Sequence, residues 1–320
     1  MVKAIDAVRS VANSLSSVPL SFSRTVFKQD VSRLCAALRA DYNDHVMDKV
    51  LEAYDENFHR SAVLWKATNR PKDGIAFRFY ERQKVDVIGP AIKHGLLKGH
   101  HEMIPLISSW ANLYPNAIAS CDFDPSKGLN KTWVWLAGRH PVGELLKAPH
   151  VPKALCALEN KFKSIGLDTV RHAAVDWRSS TVNVYFWVRG PLDVERANSL
   201  IALSRAGPIY EQKLAEIQPF LRREGFTFAT TIDAHTGDFK RVAIYALQLD
   251  NDKLPRVGDR LATFFQDAKS YDKRDLNIIA WSFGGGSTGV SDYIKGERSY
   301  SGNLEEVLGG WGSPMQANKL

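Results

Sequence analysis

Six cations recur at one kind of position in this 320-residue chain. Lys66, Arg78, Lys131, Arg171, Arg241 and Lys295 each sit in a short segment where apolar and polar residues alternate. Strand side chains change face with period two, so each cation shares a face with polar or aromatic neighbours. Arg78 goes with Tyr80, Lys131 with Trp133, Arg241 with Tyr245 and Lys295 with Glu297. The stretch from Val175 to Phe186 shows the pattern in a hairpin with Arg-Ser-Ser at its tip. Val182, Val184 and Phe186 share one face of its return strand, and Asn183, Tyr185 and the following Trp187 share the other. One such hairpin alone reads as a half-exposed sheet with its polar face in water. Gathered into one enclosed space, the six cations would have almost no compensating carboxylate, and their desolvation is costly unless an anion is present. A diphosphate, with roughly three negative charges at neutral pH, is such an anion. One contact at 4 Å is worth about 4 kcal/mol at an effective dielectric of 20. Tyr and Trp faces in turn stabilise a carbocation, at roughly 0.5–2 kcal/mol each. The combination suits loss of diphosphate from an allylic ester and capture of the resulting cation, with water kept out.

The elements that must position these residues repeat. Paired strands are expected near 62–66 and 75–82, 117–123 and 131–136, 168–176 and 181–187, 226–233 and 240–247, and 276–283 and 293–299. Helical patterns precede them at 31–59, 84–113 (broken by Gly95 and Gly99), 141–165, 193–221 (interrupted by Pro208 and Pro219) and 256–268, and a short helix follows at 303–308. The markers Arg78, Trp133, Asn183, Arg241 and Lys295 are spaced by 55, 50, 58 and 54 residues, a near-even repeat. Ile75, Phe77 and Phe79 face one way, and Ala76, Arg78, Tyr80 and Arg82 the other. Five hairpins supply ten strands whose apolar faces helices can cover. Their polar faces then meet either open solvent or the inside of a closed barrel, and closure removes the sheet edges that invite aggregation.

Composition sets the bounds. Apolar residues make up 44% of the chain, enough for a large core, and the net charge of +7 suits an anionic partner. Nucleic acid fits poorly, because the cations alternate on strands instead of forming one exposed run with stacking aromatics. No run reaches eighteen apolar residues, so no membrane-spanning helix is expected. Cys35, Cys121 and Cys156 are widely spaced, which argues against a disulfide scaffold or zinc site and for a reducing, cytoplasmic setting. His94, His100 and His101 match no zinc spacing. Residues 1–30 are expected to be a leader or an extra helix, 31–312 one barrel domain and 313–320 a tail. Gly284 to Gly286 reads as a hairpin loop, since it lacks the Gly-Lys-Ser/Thr ending of a phosphate loop.

Longer segments carry a family resemblance. Val63 to Lys66, Phe77 to Tyr80, Gly128 to Trp133, Ala174 to Phe186, His235 to Arg241, Trp281 to Phe283 and Asp292 to Asn303 together resemble the aromatic prenyltransferases of the ABBA type. Within them the chain is similar to the soluble group that includes the 4-hydroxyphenylpyruvate dimethylallyltransferases of aminocoumarin pathways, over roughly residues 45 to 312. The resemblance implies an α+β fold, a single ten-stranded antiparallel β-barrel with a solvent-accessible lumen, ringed by helices in ααββ repeats. It implies transfer of a dimethylallyl group from dimethylallyl diphosphate to a carbon of a phenolic aromatic, 4-hydroxyphenylpyruvate-like or a hydroxynaphthalene, by a monomer. By position, Lys66, Arg78, Lys131, Asn183, Arg241 and Lys295 would bind the diphosphate. Trp133, Tyr185 and Tyr245 would shield the prenyl cation. Arg171, Glu297 and Tyr80 would meet the aromatic substrate, Arg171 reading an acid group. Arg78, Lys131 and Glu297 would take the catalytic roles, Glu297 orienting or deprotonating the phenol, although it could equally form a lumen salt bridge to Lys295 or Arg298. Magnesium-dependent relatives carry an Asp where this chain has Ala76, and no Asp-Asp-x-x-Asp signature is present. Arg78 would take over charge neutralisation, so the expected cofactor is none and the expected metal is none. Asp122, near a metal-associated Asp of relatives, is weak evidence alone. The competing reading is a barrel that carries an anionic aromatic or phosphorylated small molecule without chemistry.

Overall fold

The computed structural model describes residues 22–284 and 292–310. Its ten strands are β1 (Ala62–Thr68), β2 (Ala76–Tyr80), β3 (Ile118–Asp124), β4 (Gly128–Pro141), β5 (Thr169–Asp176), β6 (Thr181–Arg189), β7 (Gly225–Asp233), β8 (Phe239–Leu249), β9 (Asn277–Phe283) and β10 (Tyr293–Ser301). Every neighbouring pair is antiparallel, and β1 pairs with β10, with Lys66 opposite Glu297. The sheet is therefore a closed barrel, the second of the two arrangements open to alternating hairpins.

Period-two alternation gives the wall two apolar layers. Outward residues such as Phe77, Phe79, Val182, Val184, Phe186 and Ile244 are buried beneath the helices in the main core. Inside, Trp133, Tyr185 and Tyr245 form a separate cluster with Ile278 and the alanines at 174, 229, 243 and 280. Those small residues beside large aromatics leave the barrel room for a ligand.

The long helical patterns resolve into short helices. The 84–113 stretch yields Ile88–Lys93 and Ile104–Asn112, and Gly95, in the left-handed region at φ 68°, follows the end of the first. The 141–165 stretch holds Val142–Leu146, Lys153–Cys156 and Glu159–Lys163. Ser23 caps the helix Arg24–Ala37 by accepting from the Val26 amide, and this helix buries Phe27, Val31 and Leu34. It runs across the 30/31 boundary expected from sequence, so residues before 31 also contribute to the outer layer. The leader up to residue 21, Gly285, Gly286 and the tail from 311 lie outside the described residues. Among the described residues, no helix is long and apolar enough to cross a membrane.

Arg82 departs from its expected inward face. β2 ends at Tyr80, and Arg82 is exposed at the rim. There it donates to the carbonyls of Arg60 (2.8 Å) and Gly302 (2.5 Å) and pairs with Glu306 of the C-terminal helix at 3.3 Å. Alternation stops applying where the ladder stops.

Candidate active site

Strand register places the inward residues in rows. Arg78 of β2, Asp122 of β3, Lys131 of β4 and Asp176 of β5 stand opposite one another in turn, a row of alternating charge. Arg78 is 1% exposed and Asp122 is fully buried. The Arg78 Nε lies 2.6 Å from Asp122 Oδ1, its Nη2 lies 3.2 Å from Glu297 Oε1, and its Nη1 donates to the Tyr80 hydroxyl at 2.8 Å. Lys66 Nζ reaches Asp122 Oδ2 at 3.3 Å. The expectation of cations almost without carboxylates is thus corrected: β3 and β10 supply two buried acids. Burial opposes ionisation of Asp122, yet Arg78, Lys66 and Lys131 hold its carboxyl below the ordinary range. Burial likewise opposes the charge of Arg78, and Asp122 and Glu297 overcome it.

Two cavities meet inside the barrel. Lys66, Lys131, Asn183, Arg241 and Lys295 line one of them, at the end where the β5–β6 and β7–β8 turns lie, together with Arg70 and Tyr293. Arg78, the sixth residue expected there, instead lines the second cavity with Tyr80, Trp133, Arg171, His172 and Glu297. Tyr185 and Tyr245 border both. In the cationic cavity Lys131 Nζ donates to Asn183 Oδ1 at 2.5 Å, and Asn183 Nδ2 donates to Thr231 Oγ1 at 2.6 Å. Lys295 Nζ donates to the Tyr245 hydroxyl at 2.5 Å. Burial depresses Lys131 to about 8, with Asp176 and Asp122 pulling it up and Lys66 and Lys295 pulling it down.

Between the cavities stands an aromatic wall. The Trp133 and Tyr185 ring centroids are 4.6 Å apart, and those of Tyr185 and Tyr245 are 5.9 Å apart. The Arg78 guanidinium lies 4.4 Å from the centroid of Trp133. Burial pushes the Tyr80, Tyr185 and Tyr245 phenols above their usual value, so they remain neutral hydrogen-bonding groups around neutral pH.

A bulge equips the second cavity. The β5–β6 register shifts between Val170 and His172, so the extra residue lets Arg171 and His172, adjacent in sequence, line the same space. Arg171 is 8% exposed, and burial followed by the like charge of Arg139 draws it down to about 10. Arg139 itself is exposed within the β4 irregularity between Trp135 and His140, 5.0 Å from the Trp187 ring centroid. Burial, then Arg171 and Arg78, push His172 down to about 3, so the ring is neutral. Glu297 is 3% exposed, and its nearest cation is Arg78, with Lys295 at 4.0 Å. Arg298 instead pairs with Asp275.

Sequence reasoning missed His172, Arg139, Arg70 and Tyr293 and undervalued Asp122. Asp122 and Tyr293 had a readable signal: Ser120, Asp122 and Asp124 alternate against Cys121 and Phe123, and Tyr293 shares the face of Lys295 and Glu297.

Comparisons with known proteins give the chain its family and its fold relatives. The family model described as aromatic prenyltransferase Orf2 matches residues 22–312. An aromatic prenyltransferase of Talaromyces marneffei is 62% identical over 310 residues, covering 97% of this chain and 85% of the relative. The 4-hydroxyphenylpyruvate 3-dimethylallyltransferase of Streptomyces niveus is 40% identical over 291 residues, covering 91% and 88%. Among solved structures, the 5-dimethylallyl tryptophan synthase of Streptomyces coelicolor superposes with TM-score 0.52 at 9% identity, covering 88% of this chain and 95% of the other. NotF, in complex with brevianamide F and DMSPP, gives 0.51 at 11% identity, covering 92% and 99%. At such identities the two structures speak for the fold.

Proposed function

This chain belongs to the aromatic prenyltransferase Orf2 family, and from that premise we propose that it transfers a dimethylallyl group from dimethylallyl diphosphate to a ring carbon of a phenolic acid. The observation that carries this reading is the shared wall. A cationic cavity and an aromatic-lined cavity meet at Tyr185 and Tyr245 inside a closed barrel.

In this reading Lys66, Lys131, Arg241 and Lys295 hold the diphosphate, with Asn183 fixing Lys131. The allylic C–O bond breaks and its electron pair leaves on the diphosphate, where the cations stabilise the growing charge. The dimethylallyl cation lies against Trp133, Tyr185 and Tyr245, whose π faces stabilise it and exclude water. A ring carbon of the acceptor attacks, and loss of the proton at that carbon restores aromaticity. Glu297 orients the phenol hydroxyl or takes its proton. Arg171, with Arg139 beyond it, receives the acid group, a use consistent with the hydroxyphenylpyruvate named for the Streptomyces niveus relative. Arg78 acts on the acceptor side, holding Glu297 and Asp122 instead of the leaving group.

Metal-independent turnover forms part of the proposal. Both oxygens of Asp122 are engaged by Arg78 and Lys66, and Ala76, opposite Lys66, offers no donor. The test is incubation with dimethylallyl diphosphate and a panel of phenols, including 4-hydroxyphenylpyruvate and a hydroxynaphthalene, in EDTA. Prenylated product by mass spectrometry, at a rate unchanged by added Mg²⁺, is the expected result. Binding without product would instead support a carrier, and product formed only with Mg²⁺ would overturn metal independence.

Lys131 gives the reaction a pH signature. A bound diphosphate favours its protonated form, so binding takes up a proton once the free amine titrates near 8. The KM for dimethylallyl diphosphate should rise as pH climbs above about 8, by up to about tenfold per unit for one proton. Lys131→Arg should flatten that rise, and an unchanged slope in this variant would remove Lys131 from the diphosphate. The sign for folding is opposite. Between about 8 and 10.5 the unfolded chain holds a proton that the native chain has released, so the ligand-free protein gains stability as pH rises through that window.

A further inference from the structure

Tyr293 begins β10, and two guanidinium groups lie over its ring. The Arg70 Cζ is 4.3 Å and the Arg241 Cζ 4.6 Å from its centroid. Arg70 belongs to the β1–β2 connection and Arg241 to β8, so one ring on β10 gathers side chains from two other elements of the cavity mouth. All three residues line the cationic cavity. Each guanidinium is also seated from outside the ring. Arg70 donates to Asp73 Oδ2 at 2.8 Å, and Thr68 donates to the same oxygen at 2.6 Å. Arg241 Nη1 donates to Ser282 Oγ at 3.4 Å, and Ser282 is the register partner of Tyr293. A Cβ at Gly284 would come within 3.2 Å of the Arg241 side chain, so the glycine leaves the seat open. The two like charges repel, Asp73 compensates Arg70 at 2.8 Å, and the negative face of the Tyr293 ring adds attraction to both guanidiniums at once.

We propose that Tyr293 is a positioning residue that holds Arg70 and Arg241 as a pair facing the leaving diphosphate, and that Arg70 is a further ligand of that group. The inference rests on the reading that this cavity takes a diphosphate. Guanidinium forks match phosphate oxygens bidentately, which a lysine ammonium does not. Placed before the bond breaks, the pair stabilises the charge that gathers on the diphosphate without reorganising. The polarity of Tyr293 fits this role: burial works against ionisation of its phenol, but Lys295, Ser282, Arg241 and Lys66 bring it below the ordinary value.

The experiment uses inorganic pyrophosphate as the probe, with binding by calorimetry alongside steady-state kinetics. Tyr293→Leu should weaken pyrophosphate about tenfold and raise the KM for dimethylallyl diphosphate to match, with the acceptor KM within twofold of the wild type. Tyr293→Phe, which keeps the ring, should recover most of the loss, and Arg70→Gln should weaken pyrophosphate about fivefold. A thermal melt of each variant separates this from unfolding, and Arg70→Gln, in a connection instead of a strand, keeps the test open if Tyr293→Leu fails to fold. Tyr293→Leu or Arg70→Gln binding like the wild type would overturn the inference, as would Tyr293→Phe as damaged as Tyr293→Leu, or donor and acceptor KM rising together. If the wild type does not bind pyrophosphate, or Lys131→Ala binds it equally well, the diphosphate reading of the cavity falls first. If those controls behave and the Tyr293 and Arg70 variants do not, only the present inference falls.

Discussion

Asp122→Asn should lower the unfolding free energy by up to about 3–5 kcal/mol, the cost of removing one partner from a buried ion pair, with the remaining Glu297 contact offsetting part of it. The reason lies in what Arg78 would face. Its guanidinium is almost wholly buried and cannot lose its charge. With the carboxylate gone, Glu297 at 3.2 Å is the carboxylate still paired with it, and Lys66 loses its contact as well. Urea unfolding followed by tryptophan fluorescence measures the change, and a loss under about 1 kcal/mol would show that the pair relaxes without cost. The matched replacement sharpens the argument. Arg78→Met combined with Asp122→Leu and Glu297→Leu removes the whole buried triad and should recover much of the stability, because apolar residues of similar volume often substitute for buried ion pairs at little cost. That triple variant should still be inactive, since the carboxylate that meets the phenol would be gone. Acid acts on the same pair from the other side. The carboxyl of Asp122 is held low, so its contribution is complete above the ordinary Asp value of 3.8 and is lost as pH falls through the depressed folded value.

Arg241→Ala should cut turnover by about 10²–10³-fold, the scale of one lost electrostatic donor to a transition state. Arg241 sits midway in the cationic cavity, half-buried, between Ser282 and the ring of Tyr293. Burial already lowers its pKa, so an incoming diphosphate gains a partly desolvated cation instead of a hydrated one. Its removal vacates space beside Gly284 without stranding a fully buried carboxylate, so the melting curve should move by no more than about 1 kcal/mol. The discriminating measurement is single-turnover chemistry at saturating donor. A wild-type rate in a folded variant would take Arg241 out of the clamp.

How much of this was legible in the sequence follows from what alternation can and cannot encode. The ten strands were readable because each hairpin has one apolar face and because the repeat supplies five of them, whereas their closure into a barrel came from the family resemblance. Trp133, Asn183, Tyr185, Arg241, Tyr245 and Lys295 take inward positions for that reason alone. Arg82 fails the same rule because period-two reasoning holds only inside a ladder, and β2 stops at Tyr80. His172 was hidden by a bulge, which adds a residue without leaving any mark in the polarity pattern. The counter-charges of Arg78 were hidden by distance: Asp122 is 44 residues away and Glu297 is 219. Arg70 and Tyr293 meet across a loop and a strand, a proximity that only the closed ring creates. The helices were overextended because an apolar stripe persists through Gly95 and the prolines while the backbone does not.

Closure also dictates how the protein must come into being. Because β1 pairs with β10, the first strand of the wall has an unpaired edge until the tenth arrives, and Arg78 waits on Glu297 for the same interval. Contacts of such sequence separation are slow to form, since a long loop must close before they repay its entropy. A nascent chain released before Tyr293 would expose one open edge of β1 and another of β9, each a template for pairing with a neighbouring molecule. Ribosome-bound intermediates should therefore lean on chaperones until the final hairpin is made, and solubility should be set by the last strand to join.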